Sequence, residues 1–201
     1  MGSTSLRTTI GVGVALLALV AGWWWLSTPS ASSGGFWSVS SADHDVAWVT
    51  GPSDTMAVVP ADPDGDTTVA FELTNEGRLP MRIVDVWPDP PPRSCFWAPR
   101  SRILRHDPQT MYTQEGASMP AVGATIASGA SASLWLTGTL TGPASCIDGG
   151  IAMVQTVEVV ASVAGRTSTL RVPIGYVFGY TDDLDRLDEQ YGVTTIPPSP
   201  V

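Results

Sequence analysis

The clearest alternation of hydrophobic and polar positions runs over residues 67–86. Residues 69–73 (VAFEL) show the period-two pattern of a strand with one buried face. Residues 75–77 (NEG) follow, and Asn and Gly tolerate the positive φ of a tight reversal. Alternation then resumes and slips at Val84, where we expect a bulge or a change of face. These residues therefore predict a β-hairpin.

Further short apolar or alternating segments recur along the chain, separated by turn residues. They lie at residues 36–39, 46–49, 56–59, 102–105, 133–140, 153–163 and 168–177. No long amphipathic helix pattern interrupts them. Many short strands joined by turns are typical of an antiparallel sandwich. We predict an all-β fold, an antiparallel Ig-like β-sandwich of about seven to nine strands.

The N-terminal part of the chain has a different pattern. Residues 10–26 are continuously apolar and would span about 25 Å as a helix, which approaches the thickness of a bilayer once flanking residues are added. Arg7 precedes this segment, and no positive residue follows until Arg78. By the positive-inside rule, the N-terminus stays in the cytoplasm and the remainder is exported. We predict that residues 1–27 are a transmembrane signal anchor.

A cleaved signal peptide is the alternative for this segment. Residues 30–32 (SAS) offer a small-x-small cleavage site. Three consecutive tryptophans at positions 23–25 favour retention, because aromatic rings suit the headgroup level of a membrane. The predicted location is the cell membrane, with a single pass and an extracellular C-terminal domain.

The remaining boundaries follow from composition. Residues 28–35 are small and polar and predict a flexible linker before a sandwich domain at residues 36–178. Residues 179–201 predict an acidic, Pro-rich tail. Within this tail, residues 180–191 fit either a short helix with acids in its first turn or a solvated segment.

The charge of the exported part excludes some partners. All ten basic residues are Arg. Nine of them and all nineteen acids lie beyond the N-terminal segment, so the chain after this segment has a formal charge of −10. Nucleic acids and anionic lipids are bound through basic surfaces, so the overall charge argues against both. The membrane contact predicted from sequence is the N-terminal helix itself.

Two cysteines, Cys95 and Cys146, are present, and both follow the predicted anchor. Disulfides persist in exported proteins, and each cysteine has a single intrachain partner available. We predict a Cys95–Cys146 bond, which would stabilise the fold by roughly 4 kcal/mol in the chain-entropy model. Two free thiols, serving as metal ligands, are the alternative.

No motif for nucleophilic, metal-dependent or nucleotide chemistry occurs in the sequence. His44 and His106 are the two histidines, and both lie in turn-like sequence. His106 together with Met111 and Met119 could supply copper ligands, because copper accepts imidazole and thioether groups. Their spacing fixes no geometry. We therefore predict no enzyme activity and no cofactor, with copper handling as the alternative function.

One basic cluster stands out in the acidic region. It consists of Arg93, Arg100, Arg102 and Arg105. Arg makes forked hydrogen bonds to carboxylates and phosphates, so this patch could bind an acidic envelope protein or a phosphate-bearing envelope polymer. The alternative is a solvated surface whose charge balances nearby Asp residues.

Three segments carry a resemblance to a known group of proteins. Residues 73–83 (LTNEGRLPMRI) match a strand ending in L-x-N-x-G-x-L-P-V-x-V, and residues 129–136 followed by Cys146 match a later G-x-x-x-x-L-x-L segment and cysteine. Residues 168–173 match a final strand ending in V-P more loosely. The sequence thus resembles single-pass exported proteins of high-GC Gram-positive (actinobacterial) bacteria. The resemblance implies an Ig-like sandwich and no activity or ligand.

Together these features predict a membrane-anchored extracytoplasmic β-sandwich that binds or scaffolds in the cell envelope.

Overall fold

The computed structural model describes residues 3–41, 46–50, 55–60, 66–89, 96–105, 119–141, 152–181, 185–186, 189 and 193–196. Within these residues the chain forms one long helix and twelve strands, and Asp185, Arg186 and Glu189 are also helical, in the segment for which a short helix was one of two predictions. The helix α1 covers Ser3–Leu26. The strands are β1 (Ala31–Ser41), β2 (Val46–Thr50), β3 (Thr55–Pro60), β4 (Asp66–Asn75), β5 (Met81–Asp89), β6 (Phe96–Arg105), β7 (Met119–Pro120), β8 (Thr125–Ile126), β9 (Ser131–Thr141), β10 (Ala152–Val163), β11 (Arg166–Thr181) and β12 (Val193–Ile196).

The strands form two sheets. One has five strands in the order β1-β4-β9-β6-β7, and the other has seven in the order β12-β2-β3-β11-β10-β5-β8. All pairings of described strands are antiparallel except that of β3 with β11. The all-β class is therefore confirmed. The strand number exceeds the predicted seven to nine by β7, β8 and β12. β7 and β8 have two residues each, too few for a pattern that a sequence could reveal, and β12 lies in the predicted tail.

One hydrophobic core lies between the sheets. Phe71 of β4 and Leu134 of β9 come from the five-stranded sheet, and Ile83, Val157 and Ile174 come from the seven-stranded sheet. All five side chains are almost completely buried. Burial of large apolar side chains from two facing sheets is what stabilises a sandwich, since each strand has one apolar face to remove from water.

The predicted hairpin over residues 67–86 is wrong in its pairing. β4 pairs with β1 and β9 in one sheet, whereas β5 pairs with β10 and β8 in the other. The residues between β4 and β5 therefore form an arch that carries the chain from sheet to sheet. Alternation and turn residues are the same for an arch and a hairpin, which is why the sequence pattern did not separate them.

Asn75, at the end of β4, holds this arch in place. Its side chain is fully buried. Its Nδ2 donates to the carbonyls of Leu79 and Ile126, each at 3.0 Å, and its Oδ1 accepts from the Gly77 amide at 2.9 Å. Its backbone amide donates to the carbonyl of Ala130 at 3.0 Å. Asn75 thus joins the arch to the turn between β8 and β9.

Two sequence predictions about strand irregularity are confirmed. Val160 pairs with Asp85 and Ala161 pairs with Ile83, so Val84 is an extra residue in β5, as the slipped alternation predicts. The turn predicted after β10 occurs at Ala164 and Gly165, which have φ values of 50° and 84°. Positive φ at both central residues is the geometry that joins two strands in a tight hairpin.

The predicted flexible linker over residues 28–35 differs from the structure. Residues 31–35 belong to β1, which pairs with β4. The register shifts between Ser33 and Trp37, and a Cβ at Gly34 would collide with the Glu72 side chain. Small residues here allow a close strand contact, a role that composition does not distinguish from flexibility.

The predicted tail over residues 179–201 also differs. β11 continues to Thr181, and Val193–Ile196 forms β12, antiparallel to β2. All four residues of β12 are β-branched, which favours strand over the disordered tail that the neighbouring prolines suggested.

The helix α1 occupies the predicted apolar segment, and its side chains are described from Val12 onward. Among the described residues, no helix is long and apolar enough to cross a membrane.

We predict that Asn75→Ala lowers the free energy of unfolding by about 3 kcal/mol, because two carbonyls and one amide lose their buried partner. The measurement is urea unfolding of the full chain in detergent micelles. The matched control is Glu76→Ala, the exposed neighbour, which we expect to cost less than about 1 kcal/mol. Equal losses for the two variants would show that Asn75 does not hold the arch.

Candidate functional site

Three of the four arginines in the predicted patch lie in β6, where the backbone is described, and Arg93 lies outside the described residues. β6 pairs with β9 along its whole length. The register pairs are Arg100 with Thr137, Arg102 with Trp135 and Arg105 with Ala132. Ala132 is buried, whereas Trp135 and Thr137 are half-buried. β6 thus carries three of the arginines, and their partners on β9 range from buried to half-buried. The arginine patch stays a prediction.

The predicted disulfide and copper residues fall largely outside the described part of the chain. Cys95 and Cys146 lie there, as do His106 and Met111, while Met119 begins β7. His44 also lies outside the described residues. Within the described ranges, no three His, Cys, Asp or Glu side chains are grouped as metal ligands would be. The disulfide and the copper site therefore stay predictions.

The structure brings together a different set of side chains, at the C-terminal end of α1. The guanidinium carbon of Arg78 lies 3.4 Å from the ring centroid of Trp25, and that of Arg166 lies 3.7 Å from the ring centroid of Trp24. Each is a cation–π contact, in which the positive group is attracted to the electron-rich ring face. We refer to these four residues as the junction.

Arg166 also caps the helix. Its Nη1 donates to the Trp24 carbonyl at 3.2 Å and to Thr28 Oγ1 at 3.0 Å. Thr28 Oγ1 donates to the same carbonyl at 2.8 Å. The last carbonyls of a helix have no partner within the helix, and a cation there is favoured by the helix dipole. Arg166 therefore fixes where α1 ends.

Both junction arginines come from turns at one end of the sandwich. Arg78 lies in the arch that Asn75 anchors, three residues further along the chain. Arg166 is the first residue of β11, directly after the hairpin turn at Ala164 and Gly165. The arch joins strands of different sheets and the hairpin joins β10 to β11, so the two arginines meet the helix together only in the assembled sandwich.

The backbone after α1 is tied to the same arch. Ser27 is buried, and the Ser30 carbonyl accepts from the amides of Glu76 and Gly77 at 2.9 and 3.2 Å. Ser32 Oγ donates to Glu76 Oε1 at 2.6 Å. The helix therefore enters the sandwich through a hydrogen-bonded connection.

The junction arginines differ from Arg171 in their electrostatic partners. Neither Arg78 nor Arg166 contacts a carboxylate among the described residues. Arg171, on β11, has its Nε 3.4 Å from Glu158 Oε1. Positive charge at the junction is thus balanced by aromatic rings and neutral oxygens.

A second exposed surface lies on the seven-stranded sheet. Trp87 is 47% exposed, and its Nε1 donates to an Asp85 carboxylate oxygen. Trp87 pairs in register with Glu158, which pairs with Arg171. We refer to Trp87, Glu158 and Arg171 as the Trp87 row. Trp and Arg are enriched at protein interfaces, so the exposed Trp87 makes this row a candidate contact surface.

Sequence reasoning missed the junction. Trp24 and Arg166 are 142 positions apart, and no local pattern connects them. The tryptophan triplet was the one signal of the junction in the sequence. It marked the end of the apolar segment but did not indicate that Arg78 and Arg166 contact these rings.

No model of a known protein family matches this sequence, and no curated protein is significantly similar to it. The resemblance to exported actinobacterial proteins therefore stays a prediction.

We predict that the double variant Arg78→Ala/Arg166→Ala is cleaved between α1 and β1 about tenfold faster than the wild type, because the connection loses two cation–π contacts and a helix cap. The measurement is limited elastase digestion of the full chain in detergent micelles. Arg171→Ala is the control, since it removes an exposed arginine far from the helix. Unchanged cleavage in the double variant would show that the junction does not restrain this segment.

Proposed function

We propose that this protein is a membrane-anchored extracytoplasmic module in which α1 lies in the bilayer and the β-sandwich binds or scaffolds a partner in the cell envelope. The observation that carries this proposal is the surface of α1. Val14, Leu17 and Leu19 are 62%, 71% and 70% exposed. The sandwich does not cover these apolar side chains, and a bilayer would.

The apolar sequence and the charge of α1 support this assignment. Residues 10–26 are continuously apolar in the sequence, and this run begins before Val12, the first residue of α1 whose side chain the structure describes. Arg7 is its one charged residue, and the tryptophans lie at the opposite end. This placement suits a cytoplasmic N-terminus and an outer headgroup contact at Trp23–25.

The described part of the sandwich offers an exposed surface for binding. The Trp87 row places an exposed indole and two charged groups on one sheet, and Trp and Arg are enriched among residues that dominate binding energy. We assign partner contact to this row first and to the predicted arginine patch second. The Ig-like classification is part of the same proposal, because binding through sheet faces and loops is common among such sandwiches.

We predict that the full chain fractionates with membranes and that Leu17→Arg releases a large part of it, because one Arg at the centre of a membrane helix costs about 3 kcal/mol of insertion free energy. The measurement is carbonate extraction of membranes followed by intact mass analysis. Ser30→Arg is the control, as it places the same charge just outside the helix.

A soluble form that lacks residues 1–32 would contradict this expectation and establish the cleaved signal peptide instead. Retention of Leu17→Arg in the carbonate pellet would contradict it in another way, by showing that α1 does not hold the protein in the membrane.

For the binding role, we predict that a photocrosslinking amino acid at Trp87 captures an envelope partner several-fold more efficiently than one at Thr125, an exposed residue of the edge strand β8. The measurement is crosslinking in intact cells followed by mass spectrometry. A third probe at Arg102 tests the predicted patch. Capture at Arg102 alone would move the contact to β6, and equal capture at all three positions would contradict a specific partner.

A further inference from the structure

We propose that the junction binds the phosphate group of an anionic phospholipid in the leaflet where α1 ends. The proposal rests on the membrane location argued above and adds a lipid class and a site to it. Arg78 makes the principal contact, and Arg166 holds the helix end that sets its position.

The level of the two guanidinium groups along α1 supports this assignment. Both lie within 4 Å of the rings of Trp24 and Trp25, in the last turn of the helix. Tryptophan rings at the end of a membrane helix lie at the level of the lipid headgroups. A guanidinium stacked on such a ring is therefore held at the depth of the phosphates.

The hydrogen-bonding capacity of Arg78 is available for a ligand. Its side chain is exposed, and its described contact is the face of Trp25. Stacking engages the flat face of a guanidinium and leaves its N–H groups directed outward around the edge. Two parallel N–H groups match two phosphate oxygens in a forked arrangement. Arg166 Nη1 already donates to the Trp24 carbonyl and to Thr28 Oγ1. Arg166 therefore contributes mainly its positive charge and the position of the helix end.

The junction is positively charged, whereas the exported part as a whole is negatively charged. That part carries a formal charge of −10, which disfavours general adsorption to an anionic membrane. At the junction, the nearby acid is Glu76, which accepts a hydrogen bond from Ser32. Two arginines without carboxylate partners among the described residues thus form a confined positive site. This arrangement suits individual lipid phosphates better than a broad anionic surface.

The experiment reconstitutes the full chain into phosphatidylcholine vesicles that contain trace spin-labelled phosphatidylglycerol or spin-labelled phosphatidylcholine. Electron paramagnetic resonance then gives the fraction of each labelled lipid that is immobilised by the protein. We expect the wild type to prefer phosphatidylglycerol by at least about fivefold, since one basic residue at a membrane surface contributes about 1 kcal/mol. Arg78→Gln should remove most of this preference, and Arg78→Lys should retain part of it.

The matched control is Arg171→Gln, which removes an equal charge from the exposed Trp87 row and should leave the preference unchanged. Equal loss in Arg171→Gln and Arg78→Gln would overturn the site, because net charge would then account for the effect. A full preference in Arg78→Gln/Arg166→Gln would also overturn it. Inorganic phosphate that abolishes the preference at millimolar concentration would reassign the site to a free anion and overturn the lipid assignment.

Failure of the underlying proposal has a separate signature. If the wild-type chain does not float with the vesicles on a density gradient, the membrane location fails. If it floats and shows no lipid preference, the lipid site alone is overturned.

Discussion

The buried side chain of Asn75 is the constraint on which the rest of the architecture depends. Its two donors and its acceptor are used within the fold, so none is left without a partner in the core. An apolar residue of similar size would fill the space but would remove the donor to the Leu79 and Ile126 carbonyls and leave the Gly77 amide with the Ser30 carbonyl alone. A polar core group whose hydrogen bonds are all made in this way specifies a single path of the chain. Here that path is the crossing from one sheet to the other.

The crossing also determines where the helix attaches. Because the arch is fixed by Asn75, Arg78 is held at the end of the sandwich, where it meets Trp25. Arg166 reaches Trp24 from an unrelated hairpin, and its hydrogen bond to the Trp24 carbonyl defines the last turn of α1. Two contacts from separate turns restrict both the rotation of the helix and its distance from the sandwich. The sandwich therefore holds α1 at a defined angle, which a glycine- and serine-rich connection alone would not do.

The sequence predicted the features that depend on local patterns. Alternation located β4, and the slip in alternation located the bulge at Val84, since both follow from the period of a strand. Sheet membership was not predictable, because the residues of the arch carry the same turn signals as a hairpin. Residues 36–39 of β1 were predicted, but residues 31–35 were hidden by their serines and glycines, whose place in the sheet depends on the neighbouring β4. The junction was hidden for a different reason, since it joins residues more than a hundred positions apart.

Net charge is a poor guide to what this surface binds, because the charges are unevenly placed. If α1 lies in an anionic membrane, as we propose, that membrane repels the acidic sandwich as a whole over about a Debye length of 8 to 10 Å. The proposed attraction at the junction would act on one end only and at contact distance. The two effects together would favour a sandwich that stands away from the membrane on a fixed base. In that orientation the Trp87 row, which lies on a sheet face, would stay accessible to the proposed envelope partner.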